Sequence, residues 1–133
     1  MKLEEVHKDW RGTTNVLKIG DKEIAVITTS IDGAVRGGHS HPYDATIVVI
    51  DGATDYVWTE DSQKPEESKW IRLDATKNPI MATPKGIPHM AISVGNSIML
   101  ELKPGQYSIT NYPPYRNLVE MGKDWERVEQ KDK

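Results

Sequence analysis

Four histidines occur in the 133 residues: His7, His39, His41 and His89. Two of them form the tripeptide His39-Ser40-His41. On a strand, residues i and i+2 project from the same face, with α-carbons roughly 7 Å apart. Two imidazoles so placed can converge on one ion at about 2.0–2.1 Å each. The same tripeptide also suits a surface pair in a turn, and HxH alone does not separate the two. His89 follows Pro84-Lys85-Gly86-Ile87-Pro88. Proline and glycine at that spacing make a tight turn that delivers the next residue to the start of a strand, a fixed place for a side chain. His7 stands outside both segments and reads as solvent-exposed.

The rest of the chain bounds what these histidines can do. Cysteine is absent, which removes disulfides, thiolate zinc sites, iron–sulfur clusters and cysteine nucleophiles, and fits a reducing cytoplasm. Lys and Arg number 17 against 20 Asp and Glu, a formal charge of −3, so no basic excess exists to neutralise a nucleic-acid backbone. The start, MKLEEVHKDW, has no apolar run of the kind a secretory signal needs, and no stretch reaches the roughly 20 apolar residues of a membrane span. One domain over 1–133 and a cytoplasmic location are expected.

Short runs rich in β-branched residues predict strands at about Asn15–Ile19, Ile24–Ser30, Ala45–Ile50, Thr54–Thr59, Lys69–Leu73, Ile80–Thr83, His89–Val94 and Ser97–Leu102. Asp32-Gly33, Asp51-Gly52 and Gly95-Asn96 read as turns between them. Glu60–Lys69 reads as an exposed polar loop, and Arg116–Gln130 as a short helix with Leu118, Val119, Met121 and Trp125 along one stripe. The four tryptophans read as packing residues in a chain without phenylalanine.

The segment from Gly33 to Gly52, GAVRGGHSHPYDATIVVIDG, resembles the first cupin motif: a Gly, five residues, HxH, a few residues, Glu, six residues, Gly. Gly33, His39, His41 and Gly52 match. Pro84, Gly86 and His89 match PxGxxH of the second motif. The resemblance implies an all-β cupin double-stranded β-helix, a jelly-roll barrel over about 15–105 with a short helical or irregular tail over 106–133. It also implies a three-histidine metal site at His39, His41 and His89, holding a divalent transition ion: iron, manganese, nickel, copper or zinc. The motif's Glu, usually a further ligand, falls at Ala45. Its neighbour Asp44 points away from the histidine face of a regular strand, unless a bulge turns it.

Arg36-Gly37-Gly38-His39-Ser40-His41 also resembles RGxHxH of the dTDP-hexose 3,4-ketoisomerases, a metal-independent branch of the cupins. That likeness implies His39 and His41 as acid and base and Arg36 near a diphosphate. Tyr107 and Tyr112 fit the YxxxxY pattern after the last strand in those enzymes. Pro42 and the intact PxGxxH depart from them, and Arg36 also suits a charge at the barrel rim.

Strand alternation puts Tyr43 and Ile47 on the parity of His39, and Ala91 and Ser93 on that of His89. Met81, Met99 and Glu101 are wall positions, and an inward Glu101 would be a candidate base. Arg36, Tyr43 and Glu101 are the expected substrate contacts. Thr54–Trp58 and Ile98–Leu102 are apolar on both parities and need cover on both faces, which predicts a homodimer. The expected function is a metal-dependent, oxygenase-like enzyme on a small organic substrate. A sugar-nucleotide isomerase or epimerase and a non-catalytic binding or sensor module are the alternatives.

Overall fold

The computed structural model describes residues 2–104 and 107–121. Nine strands form one antiparallel sheet that curls on itself: β1 (Lys2–Asp9), β2 (Gly12–Ile19), β3 (Lys22–Thr29), β4 (Val35–Ser40), β5 (Ala45–Trp58), β6 (Lys69–Asp74), β7 (Ile80–Thr83), β8 (His89–Lys103) and β9 (Thr110–Asn111). A helix, α1 (Pro113–Met121), follows.

Two long strands make the curl. β5 and β8 pair along their whole length, from Thr46 opposite Leu102 to Trp58 opposite His89. Each changes its other partner midway. β8 pairs β4 through His89–Ile92 and β3 through Ser97–Lys103. β5 pairs β7 through Ala45–Val48 and β6 through Ala53–Trp58. The expected turns at Asp51-Gly52 and Gly95-Asn96 are therefore bends inside continuous strands, and four predicted strands merge into two. Gly52 (φ 71°) and Gly95 (φ 63°) take the left-handed conformation there, and the register shifts on either side of Asp51. A Cβ on Gly52 would lie 2.2 Å from the Asn96 carbonyl oxygen, so the two backbones meet where they bend. Glycine serves a hairpin and a bulge alike. Only the ladder continuing beyond the bend distinguishes them.

β1 and β4 were not among the expected strands, and β2 begins at Gly12, so the sheet runs on before residue 15. Val35–Ser40 holds two adjacent glycines and has weak strand propensity, which the ladder to β8 overrides. The fold is the all-β jelly roll that the motifs imply.

Two apolar clusters hold the sheet. Ile47, Val49, Tyr56, Leu73, Ala91 and Met99 fill the interior. Val35, Val57, Met90 and Ile92 pack on the other side against Tyr112 and Tyr115 at the start of α1. Both faces of Thr54–Trp58 are therefore covered within one chain, and that segment needs no second subunit. The Ile98–Leu102 segment differs, with Leu102 37% exposed. Trp58 and Trp70 pack beside the clusters, whereas Trp10 is exposed. The helix starts three residues before its expected position, with Pro113 supplying the preset φ of a first turn. The side chains of the expected stripe, and everything beyond Met121, lie outside the described residues. Glu60–Glu67 is a largely exposed connection with a short 3-10 turn at Pro65–Glu67, Ser68 is buried and hydrogen-bonds the Tyr115 hydroxyl, and Lys69 opens β6. No helix among the described residues is long and apolar enough to cross a membrane.

Candidate metal centre

His39 reaches the site through a bulge. Gly37 (φ 90°) and Gly38 (φ 80°) shift the β4–β8 register, so that Gly37 faces Met90 and His39 faces His89. A Cβ on Gly38 would stand 2.9 Å from the Arg116 backbone nitrogen and α-carbon, so glycine also lets α1 lie against the strand. His41 lies just past the end of β4, where its carbonyl accepts the Gly86 N–H at 2.8 Å. Asp44 accepts the Lys85 N–H at 2.8 Å, which ties the same two segments and leaves Asp44 outside the site. In the second segment the Ile87 N–H donates to the Pro84 carbonyl at 3.2 Å across Gly86 (φ 79°), the tight turn expected before His89.

The three rings meet. Their centroids are 4.7 Å apart for His39 and His41, 5.1 Å for His39 and His89, and 5.0 Å for His41 and His89. One donor atom from each lies within 4.8 Å of the other two, a span that modest side-chain rotation closes around one ion. All three residues are buried. Burial, then the neighbouring imidazoles, lowers the His39 pKa to about 3. Burial, the largest cause, lowers that of His89 to about 4 against the opposing Ile87 carbonyl. Both rings are neutral near pH 7, the form that binds a metal.

Polar satisfaction tests the fit to an ion. His41 Nδ1 pairs with the Ser108 carbonyl and His89 Nδ1 with the Ile87 carbonyl, each at 3.1 Å. Carbonyls in those places hold the proton on Nδ1 and leave Nε2 with its lone pair, the usual support for a ligating histidine. His39 Nδ1 and His41 Nε2 are buried without a hydrogen-bond partner. Orphaned buried nitrogens are costly, and a divalent ion would engage such lone pairs. The residues present therefore fit a metal.

Glu101 also faces inward. Its Oε2 lies 3.4 Å from His41 Nε2, and its side chain is 8% exposed. Burial pushes its pKa up, but His41 and Lys103 together prevail and hold it below the ordinary value. Glu101 is not one of the three clustered ligands. It stands at their side, on β8, rather than on β5 at the position of Ala45.

A cavity of about 580 Å³ opens beside His39 and His89 and is lined by Arg36, Ile47, Ala91, Met99 and Glu101 among others. Arg36 is buried in its wall, with Nε donating to Thr29 Oγ1 at 3.1 Å and one Nη to the Thr28 carbonyl at 2.8 Å. Tyr43 is not part of the lining. It stacks on His41 at 4.9 Å, and its hydroxyl accepts the Ser108 N–H at 3.4 Å. Tyr107 is half-exposed, with its ring 6.3 Å from His39 and 6.2 Å from His41. Tyr112 is in the outer core rather than the cavity. His7 is exposed at the rim and paired with Asp9.

Two site features escaped the sequence reading. Tyr56 stacks on His89 at 5.7 Å with a buried hydroxyl that has no partner. Lys103 turns inward with its side chain 2% exposed. The signal for Lys103 was its shared parity with Glu101.

No protein-family model and no curated protein matches the chain. Solved structures do. The capsular polysaccharide assembling protein CapF from Staphylococcus aureus superposes with a TM-score of 0.67 at 17% identity, over 80% of this chain and 32% of its own. Oxalate decarboxylase from Bacillus subtilis, described for its Mn(II) centres, gives 0.66 at 17% identity over 81% of this chain and 29% of its own. A cupin-2 domain containing protein from Shewanella frigidimarina gives 0.54 at 16% identity, over 74% of this chain and 83% of its own. The chain thus spans about a third of the CapF and oxalate decarboxylase chains. The curled antiparallel sheet agrees with these likenesses, and the chain has the fold of a small cupin.

Proposed function

We propose that the protein is a metal-dependent enzyme acting on a small organic substrate, with His39, His41 and His89 as ligands of a divalent transition ion. The carrying observation is the convergence of three buried imidazoles, with one nitrogen of His39 left without a hydrogen-bond partner. An ion held by three neutral ligands would keep its full charge and open positions, and would supply Lewis-acid or oxygenase-like chemistry. The chain's own residues do the rest. The Ser108 and Ile87 carbonyls orient two rings, and the stacked Tyr43 ring holds His41. Glu101 Oε2 is placed to hold a proton beside His41, and Arg36, anchored on β3, gives the wall its positive charge.

Metal analysis of the protein purified without a histidine tag tests this reading. About one equivalent of a first-row transition metal, or uptake on reconstitution, is expected. Less than about a tenth of an equivalent, with no uptake, would overturn it. Metal binding without turnover across a broad substrate panel would make the protein a binding or sensor module instead. The close His41–Glu101 pair favours a second reading, metal-free acid–base catalysis on a sugar nucleotide. Arg36 weighs against it, because two of its nitrogens are already engaged on β3.

The reading includes a homodimer and a cytoplasmic location, with which the lack of cysteine agrees. On the outer face of the sheet, Ile80, Val48, Leu100 and Val26 run side by side across four strands. Leu102, Ile24, Leu17 and Leu3 form the adjacent row. Ile80 and Leu3 are exposed. A second copy would bury such a stripe. Light scattering should give the dimer mass, and Ile80→Glu with Leu100→Asp should give the monomer. A monomeric parent protein would refute the association.

A further inference from the structure

The cavity continues past the histidines to a charged wall. Five cationic side chains line it: Arg11, Lys18, Arg36, Lys103 and Arg116. Two acids do, Glu23 and Glu101. Arg11 is paired with Asp9, and Lys103 lies near both acids, yet the lining still holds more cations than acids in a chain whose formal charge is −3. Arg11 and Arg36 crowd each other, and burial together with Arg11 lowers the Arg36 pKa to about 10. A site that concentrates like charge attracts the opposite one.

Lys103 is buried to the same extent as Arg36. Its ammonium lies 3.8 Å from Glu23, 4.0 Å from Glu101 and 4.6 Å from the Tyr107 ring centroid. None of these is a hydrogen bond, and no described residue supplies one. An ammonium has three protons to place, and Lys103 lines the cavity, so water or a ligand there completes its shell. The β5–β8 ladder stops at Thr46 opposite Leu102, one residue short of Lys103, which pairs with Glu23 of β3.

We propose that the cavity takes a small organic anion whose carboxylate binds the Lys103 ammonium, with the remainder reaching toward the three imidazoles. This rests on the enzyme reading above for its catalytic meaning, but not for the binding itself. Glu101 lies between the two ends, 4.0 Å from Lys103 and 3.4 Å from His41, so a molecule of a few carbon atoms bridges them. The Tyr107 ring, near Lys103 and both His39 and His41, covers the anion on its outer side.

The test is a titration of metal-free and metal-loaded protein with acetate, propionate and butyrate, and with the matching primary amides as neutral isosteres, followed by NMR. The acids should bind, with shifts at cavity residues, and the amides should bind about tenfold or more weaker. Lys103→Met should weaken the acids by about tenfold or more and leave the amides unchanged, while Lys103→Arg should retain most of the acid affinity. Thermal melting checks that each variant is folded, and the acid–amide comparison on the parent protein needs no variant. Acids and amides binding alike would overturn the proposal. So would acids that bind Lys103→Met undiminished, or that bind only when metal is present. Failure of the metal reading looks different: no metal is taken up, yet carboxylate binding still depends on Lys103.

Discussion

The two ends of β8 do opposite chemistry on one strand. At its start, His89, Ala91 and Ser93 face inward beside β4, and the ionisable ring is held neutral by burial. At its end, Met99, Glu101 and Lys103 face inward beside β3, and the groups carry charge in pairs. The first end is built from rigid devices: a glycine-pair bulge, a proline–glycine turn, and carbonyls that aim the rings. The second has only side-chain contacts of 3.4–4.0 Å, long enough to rearrange around a ligand. The comparison teaches that the ligand end is preorganised, while the charged end has unspent capacity for binding.

Breaking the rigid end should give the largest effect. His89→Ala is expected to weaken transition-metal binding by at least about 100-fold, read by calorimetry, and to abolish the stabilisation that metal adds to the melting temperature. If metal content were unchanged, His89 would be structural only. Gly38→Ala should come next. The left-handed φ and the contact with α1 predict a loss of about 2 kcal/mol or more in denaturant unfolding, with metal binding weakened as the bulge shifts. Gly20→Ala, at φ 62° with open space around it, is the control and should cost about 1 kcal/mol.

Acid should act on the rigid end as well. His39 and His89 are held near 3 and 4 in the fold, against an ordinary value of 6.5. Between those values the unfolded chain binds more protons than the folded one, so stability falls as pH drops. The metal-free protein should lose roughly 1.4 kcal/mol per pH unit for each histidine between about pH 6.5 and 4, measured by urea unfolding. A flat profile there would mean that the rings are less buried than the structure has them. The smallest effect belongs to the charged end. Glu101→Gln should weaken metal affinity by about tenfold, as loss of an outer-shell partner does, with little change in unfolding midpoint. A 100-fold loss would instead make Glu101 a ligand.

Legibility followed the same division. His39, His41 and His89 could be named together because the glycines, prolines and histidines around them match the two cupin motifs, which the resemblance joins into one site. Strand alternation also placed Ile47 correctly, on the inner face beside the cavity. By contrast, Asp51-Gly52 and Gly95-Asn96 were misread as turns, because a left-handed glycine looks the same in a hairpin and in a bend. Tyr43 shares a parity with His39 but lies past the end of the strand, where alternation no longer applies, so it packs behind His41 rather than in the cavity. The cover of Thr54–Trp58 by Tyr112 and Tyr115 was hidden by distance along the chain.

What residue order alone determined is the turn before His89 and an acidic chain without thiols, while the set of three imidazoles followed from the resemblance to the cupin motifs. The turn and the charge depend on short-range stereochemistry and on composition, which need no fold to express them. The tertiary structure decided that Glu101 and Lys103 share the cavity with His39 and His89, that Arg36 is tied to β3, and that the site's acid comes from β8 rather than from β5. These depend on strand register, in which one residue of slip turns every side chain to the opposite face. Register is fixed only when all the ladders close together.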